Sequence, residues 1–404
     1  MTRDERQTDV LKTWVNAKCV GTVTAATGFG KTRVALRAIK WFLAKNATSK
    51  VMIVVPTTYL KTQWVKLLAE WKLDGVEVWI INTVVKTEHH IDFLVLDEIH
   101  SFASDLFVQV FRKVDYKIIM GLTATIERLD GKETVLKRFA PVCAEVPISE
   151  CIENKWLAPF REYKVLLDVD LTEYQRLNVE FISHFSFFDF NFELAMSMLG
   201  NIINRRKYAK QNNLEYKAVD LHAFGFNRAM QARKKFIFDH PFKSQIAQEI
   251  LAFRPNAKAI TFSQSIPMAE SIGVGWVIHS KLTAKKRTKV EDEFNVVKTG
   301  VLNSIRTIEL GADIQDVNLA IILCGTSSAI SSYQRKGRAI RLEGDKTSEI
   351  FHLVLRGTVE EEWFRKASKG ADIITIDEEQ LKTVLNHGDI EEKEHKENKY
   401  LFRF

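Results

Sequence analysis

Short β-branched runs alternate with helix-periodic segments over the first 145 residues: Val20 to Thr24, Val51 to Val55, Val76 to Ile81, Phe93 to Leu96 and Lys117 to Met120. Apolar runs of this length, separated by amphipathic stretches, predict strands buried on both faces of a parallel sheet with crossover helices. The alternation returns after residue 245, with strands expected at Ala259 to Phe262, Gly275 to Ile278, Leu319 to Leu323 and Glu349 to Leu355. The pattern therefore predicts two α/β units, and no short-period repeat relates them.

The middle of the chain reads differently. Tyr163, Val165, Leu167, Val169 and Leu171 alternate as a half-buried strand does, and a long helical stretch follows. Phe181, Phe185, Phe188 and Phe192 recur at helical spacing there. The first reading of that stripe is a helix core, and the second is an aromatic platform for nucleic-acid bases. From Asn201 to Lys243 ten Lys or Arg face three acids, Glu215, Asp220 and Asp239. A solvated helix face and contact with a phosphate backbone both fit that excess, with Arg205, Arg206 and Lys207 the candidate contacts. The expected organisation is a first α/β unit over 1–150, a strand plus a helical, Phe-rich and basic insert over 151–245, a second α/β unit over 246–375, and a charged tail over 376–404.

Composition narrows the class. Hydrophobic residues make up 46% and charged residues 27% of 404, which gives a chain able to bury cores and excludes a mainly disordered one. The formal charge of +7 favours a polyanionic partner, and the excess of the basic segment equals it. Cys19, Cys143, Cys151 and Cys324 form no C-x-x-C pair, so neither a zinc ribbon nor a disulfide framework is expected. His89 and His90 are adjacent at a strand edge, which suits exposed polar residues better than metal ligands. No run of about 18 apolar residues occurs, so no membrane span is expected, and the cytoplasm is the expected location.

Three motifs carry chemistry. AATGFGKT, from Ala25 to Thr32, follows an apolar strand and precedes a helical pattern. A phosphate chain needs backbone N–H groups converging at a helix N-terminus, and Gly28 and Gly30 permit that approach around Ala26, Thr27 and Phe29. Lys31 then reaches the terminal phosphates and Thr32 holds Mg²⁺, although Ala25 stands where the strict pattern begins with Gly. LVLDEIH, from Leu94 to His100, places two carboxylates at a strand tip: Asp97 for the metal shell and Glu98 for the attacking water. In SSYQRKGRAIR, Arg335, Arg338 and Arg341 recur every three residues, either as a solvated basic face or as arginine fingers supplied to a nucleotide on the first unit.

The ordered set AATGFGKT, VVPTTYLKTQW, LDEIH, GLTAT, TFSQS, ELGADI and YQRKGR resembles superfamily 2 helicases and translocases, with a DEIH box, over about residues 1–370. The resemblance implies two RecA-like lobes, parallel sheets flanked by helices, with a mainly helical insert between them and ATP with Mg²⁺ in the cleft. It assigns nucleotide, metal and water roles to Lys31, Thr32, Asp97 and Glu98, with Gln334, Arg338 and Arg341 completing the site from the second lobe. His100, Thr123, Ala124 and Thr125 match positions that couple hydrolysis to movement, and Gly311 and Asp313 match a motif near the ribose and γ-phosphate. Gln7 matches the adenine-reading position, with Asp4 where an Arg usually stands, and Leu310 stands where the DEAD-box group has Arg.

Within the superfamily, Leu60, Gln63 and Trp64 make the Pro56 to Trp64 stretch similar to duplex-tracking DNA translocases, and the chain resembles small phage branch-migration and repair helicases. That resemblance implies phosphate contacts at Thr57, Thr83, Ser263 and Gln264, a monomer acting on forked, branched or duplex DNA, and the host cytoplasm if the chain is phage-encoded. With the P-loop beginning at residue 25, junction recognition is expected from the insert or the tail. An RNA helicase and a nucleotide-gated DNA clamp without unwinding are the alternatives.

Overall fold

The computed structural model describes residues 1–126, 131–305, 314, 316–325, 347–368 and 372–387. The first sheet contains β1 (Val20–Ala25), β2 (Val51–Val55), β3 (Val76–Ile80), β5 (Phe93–Asp97), β7 (Ile118–Thr123) and β8 (Val142–Val146), and a separate small pair comprises β4 (His89–His90) and β6 (Val114–Asp115). The six strands run in the order β3-β2-β5-β7-β1-β8, every pairing parallel. All five residues of β2 and all five of β5 are buried, which is why these segments read as unbroken apolar runs. Helices Arg3–Asn16, Lys31–Lys45 and Thr58–Glu70 cover one face, with Trp14, Phe29, Ile39 and Trp64 in the core. The helix Glu133–Phe139 and the 3-10 turn Ile99–Ala103 cover the other.

The second sheet is built from β9 (Phe160–Leu167), β10 (Lys258–Ser263), β11 (Trp276–Ile278), β12 (Gly300–Ile305), β13 (Leu319–Ile322), β14 (Ser348–Leu355) and β15 (Ile374–Ile376). Its order is β11-β12-β10-β13-β14-β9-β15, again all parallel. Two expected boundaries change. The strand assigned to the insert is β9, paired over its whole length with β14, because Tyr163, Val165 and Leu167 point into the second core and complete it. The charged tail expected from residue 376 begins inside the lobe: Ile376 closes β15, and Leu381, Val384 and Leu385 of the helix Glu378–His387 are buried in the same core.

Between β9 and the helix Pro241–Phe253 rises a subdomain of four helices, Thr172–Ser186, Phe192–Gly200, Ile202–Gln211 and Tyr216–Phe238. Its small core contains Phe188, Ala195, Met198, Val219, Ala223 and Phe226. The phenylalanines do not share one helix. The chain turns after Ser186, with Asp189 and Phe190 at positive φ, before a new helix starts at Phe192. Phe181 and Phe185 still meet Phe226, at 5.3 and 5.2 Å between rings, while Phe190 and Phe192 are more than half exposed at 58% and 51%. The stripe is therefore core at one end and surface at the other.

Among the described residues no helix is long and apolar enough to cross a membrane, and no cluster of three or more His, Cys, Asp or Glu could hold a metal ion.

Candidate active site

The C-terminal edge of the first sheet carries the chemistry. β1 ends at Ala25, a turn follows, and the helix Lys31–Lys45 starts. Gly28 and Gly30 both adopt positive φ, +93° and +97°, a region where a Cβ is strained. At Gly30 an added Cβ would also strike Nε2 of Gln7. The helix N-terminus has no capping side chain and no acidic residue in its first turn. Its first amide groups and the positive end of its dipole are thus left for an anion. Lys31 donates to the carbonyl of Ala25 at 2.9 Å, folding its ammonium over the loop, and Thr32 is half-buried in the first helical turn.

Gln7 closes the other side. It is buried; its Nε2 donates to the Phe29 carbonyl at 2.8 Å, and its Oε1 accepts no hydrogen bond. A buried acceptor of this kind suits an exocyclic amine such as that of adenine. The helix that carries Gln7 is pinned in place, since Arg6 pairs with Glu150 at 2.6 Å and Arg3 donates to the Trp156 carbonyl.

Asp97 ends β5 and is 7% exposed. One carboxylate oxygen accepts from the Trp64 indole N–H at 2.8 Å, and the other accepts from the Glu98 amide at 3.0 Å. Burial pushes this carboxyl up to about 6, and the adjacent Glu98 adds to the rise, while Trp64 and Lys31 oppose it. Two hydrogen bonds leave half of a carboxylate's roughly four acceptor positions for a cation. Glu98 adopts positive φ, +50°, which turns its side chain back toward His100.

His100 is buried, with Nδ1 3.0 Å from Thr123 Oγ1 and 3.3 Å from Glu98 Oε2. The Thr123 hydroxyl donates to the Thr125 carbonyl at 2.6 Å, so its oxygen accepts from His100 and the imidazole carries its proton on Nδ1. His100, Thr123 and Thr125 are therefore joined by hydrogen bonds, and Glu98 lies against the imidazole at the strand tip, its Oε2 3.3 Å from Nδ1 and making no hydrogen bond. A cleft of about 560 Å³ opens along that loop, lined by Thr24, Ala26, Thr27, Ala124, Thr125 and Glu145 among others.

The residues fit a magnesium nucleotide. The glycine turn, the uncapped helix, the unbonded acceptor of Gln7 and the half-satisfied Asp97 each match one part of it. Lys31, Thr32 and Asp97 are the groups that would hold the phosphates and the metal. Gly311, Asp313, Gln334, Arg338 and Arg341 lie outside the described residues.

The expected nucleic-acid contacts divide. Thr57 caps the helix Thr58–Glu70, accepting from Leu60 N at 3.3 Å; Thr83 is exposed and Gln264 half-buried. Ser263, expected as a phosphate contact, is 2% exposed and its hydroxyl donates to the Ser265 carbonyl at 3.3 Å, so its side chain is turned inward. Arg205 is likewise committed inward: it pairs with Asp220 at 2.5 Å and donates to the Met198 carbonyl, because it closes the space between two helices. Arg206 and Lys207 remain exposed. Of the other basic residues, Arg228 pairs with Glu180, Arg233 lies 4.2 Å from the Phe181 ring, and Lys243 is fully buried. Trp64, read from the sequence only as part of a motif, is the residue whose role was missed. Its signal was the type itself, since a buried indole N–H demands an acceptor.

Comparison with known proteins bears on the fold and the family likeness. The family described as "Type III restriction enzyme, res subunit" matches residues 2–88, and the "Helicase conserved C-terminal domain" matches residues 243–343. By these matches and the relative below the chain is similar to superfamily 2 helicases and translocases, whose members use ATP. The chain is 25% identical over 384 residues to the DNA 3'-5' translocase XPB2 of Sulfurisphaera tokodaii, covering 88% of this chain and 82% of that protein. In fold it is similar to the Hef helicase domain of Pyrococcus furiosus, with a TM-score of 0.50, 17% identity, and coverage of 89% of this chain and 97% of that one. Dbp5 of S. cerevisiae bound to RNA and ADP BeF3 gives a TM-score of 0.59 at 14% identity, covering 94% and 91%. In fold the two parallel-sheet lobes thus match RecA-like helicase lobes.

Proposed function

We propose that this chain is an ATP-driven DNA helicase or translocase that remodels forked or branched DNA. The observation that carries the motor reading is the convergence, at one sheet edge, of an uncapped helix N-terminus behind two left-handed glycines with a buried, half-satisfied carboxylate. Bound ATP would supply the phosphoanhydride whose cleavage drives movement. In this reading Lys31 and the first amides of its helix hold the phosphates, Asp97 and Thr32 hold the metal, and Glu98 accepts the proton of the attacking water. The contact of Glu98 with His100, and the hydrogen bonds from there to Thr123 and Thr125, let a shift at the carboxylate move the loop after β7.

DNA is favoured over RNA by the translocase relative, which matches most of both chains. Thr57, Thr83 and Gln264 are the backbone contacts in this reading, with Arg206, Lys207, Phe190 and Phe192 on the helical subdomain as the junction-facing set. The test is ATP hydrolysis without nucleic acid and with linear duplex, single strand, fork, four-way junction or RNA, at two salt concentrations. Strongest stimulation by fork or junction is expected. Equal stimulation by every DNA would leave a general translocase, a preference for RNA would overturn the choice, and tight ATP-dependent binding without turnover would make the chain a clamp. Lys31→Ala should lower stimulated hydrolysis about 10²- to 10³-fold, and intact hydrolysis would refute the mechanism.

A further inference from the structure

We infer that Trp64 is a positioning residue that ties the placement of the metal-holding carboxylate Asp97 to the helix Thr58–Glu70; the inference rests on the ATPase reading above. Trp64 is 1% exposed, and its indole N–H donates to Asp97 at 2.8 Å, the only side-chain hydrogen bond that Asp97 accepts among the described residues. The other carboxylate oxygen is held by the amide of Glu98, the next residue in its own chain. The rotation of the Asp97 carboxyl is therefore set from outside by a residue of a different element.

That element touches both other parts of the proposed cycle. Its N-cap is Thr57, a candidate phosphate contact, seven residues or about 10 Å along the helix from Trp64. Two residues after the cap, Tyr59 packs against the second lobe's core, its hydroxyl 3.2 Å from Glu291 and accepting from Gln63 at 3.2 Å. One rigid helix thus begins at a nucleic-acid contact, meets the second lobe within its first turn and ends its second turn on the metal-holding carboxylate. A small displacement of the helix must drag the carboxylate or break a buried hydrogen bond, and a buried indole N–H without an acceptor is costly.

The test uses the full-length protein and three replacements. Trp64→Phe removes the N–H and part of the ring. Benzothienylalanine at position 64 keeps the two-ring shape with sulfur in place of N–H, which covers the case in which the Phe variant fails to fold. Leu68→Ala, four residues on at a buried position of the same helix, removes packing alone. Binding of the fluorescent nucleotide mant-ADP is followed with and without Mg²⁺, alongside melting temperature and DNA-stimulated hydrolysis.

Both position-64 variants are expected to bind metal-free mant-ADP within twofold of wild type and to need about tenfold more Mg²⁺ for its effect. They should lose kcat stimulation by DNA while the DNA concentration for half-stimulation stays unchanged. Leu68→Ala should lower the melting temperature and leave the Mg²⁺ midpoint in place. An unchanged Mg²⁺ midpoint in the benzothienylalanine variant, or an equal change in Leu68→Ala, would reduce Trp64 to a packing residue. Wild-type protein whose mant-ADP binding ignores Mg²⁺ would instead refute the ATPase reading, and this inference with it.

Discussion

Asp97 in the first lobe and Glu360 in the second are both buried carboxylates beside the C-terminal ends of parallel strands, and they are held in opposite ways. Glu360 is 0% exposed; Lys243 Nζ bonds both of its oxygens, at 2.7 and 2.8 Å, and the amides of Leu355 and Gly325 add two more hydrogen bonds. Lys243 uses its third proton on the Leu323 carbonyl at 2.8 Å. All four acceptor positions of the carboxylate and all three protons of the ammonium are used, so the pair has nothing left with which to bind a ligand. Asp97 accepts two hydrogen bonds, and Lys31, whose charge acts on it, donates to a backbone carbonyl. A buried charge with spare capacity marks a site; a buried charge with none marks a joint between elements, here the ends of β13 and β14 and the helices Pro241–Phe253 and Val359–Ala367.

The strongest way to break the comparison is to strip each carboxylate of what it has. Lys243→Met leaves Glu360 buried and unpaired and should cost about 3–5 kcal/mol of stability, seen in urea and thermal unfolding. Adding Glu360→Leu should recover most of the loss, since the apolar pair has no charge to desolvate. A stable single variant would mean that the pair is not a joint. Asp97→Asn should do the reverse. It keeps an oxygen for Trp64 and loses the charge, so the melting temperature should hold or rise while hydrolysis falls about 10²- to 10³-fold, or about 3–4 kcal/mol of barrier. Lost stability with retained hydrolysis would exchange the two roles.

The helical subdomain offers an intermediate case. His184 and His222 meet with their Nδ1 atoms 3.3 Å apart, and His222 stacks on Phe187 at 4.1 Å. Gly225, inside the long helix, makes room, since a Cβ there would strike the His184 ring. Gly225→Ala should therefore destabilise by about 1–3 kcal/mol through overpacking, against a gain of roughly 1 kcal/mol in helix propensity. Higher stability would show that the ring moves aside freely.

The smallest effect is on pH. Burial lowers the affinity of His222 for its proton, and His184 adds to the fall; Glu180 and its partner Arg228 stand nearby on the same two helices. A folded-state value below the usual one of about 6.5 means that the unfolded chain binds more protons. The contribution is then fully present above pH about 6.5 and lost as pH falls through the folded value. Melting of wild type and His222→Asn between pH 7.5 and 5 checks this, and parallel curves would remove His222 from the account.

Most strands of both lobes and the phosphate loop were legible in the sequence because each is a local property. An apolar β-branched run is a buried parallel strand wherever it lies, and GFGKT after such a run before a helix creates an anion site from its own backbone. Val142–Val146, Gly300–Ile305 and Ile374–Ile376 were not legible, since Glu145, Asn303, Ser304 and Thr375 interrupt their apolar runs. The membership of β9 in the second sheet was also hidden. Its alternation predicts a half-buried strand and says nothing about a partner in β14, 188 residues later at the start of the pairing of Phe160 with Ser348.

The same limit governs single side chains. The sequence by itself determined which residues could bind phosphate, metal or nucleic acid, because charge, donors and backbone freedom belong to residue types. Only the tertiary structure decided which of them are spent elsewhere: Arg205 on Asp220, Lys243 on Glu360, Ser263 on its neighbours' carbonyls, and Trp64 on Asp97. A polar group has a fixed number of hydrogen bonds to give, and its availability to a ligand is what remains after folding has brought distant parts of the chain against it.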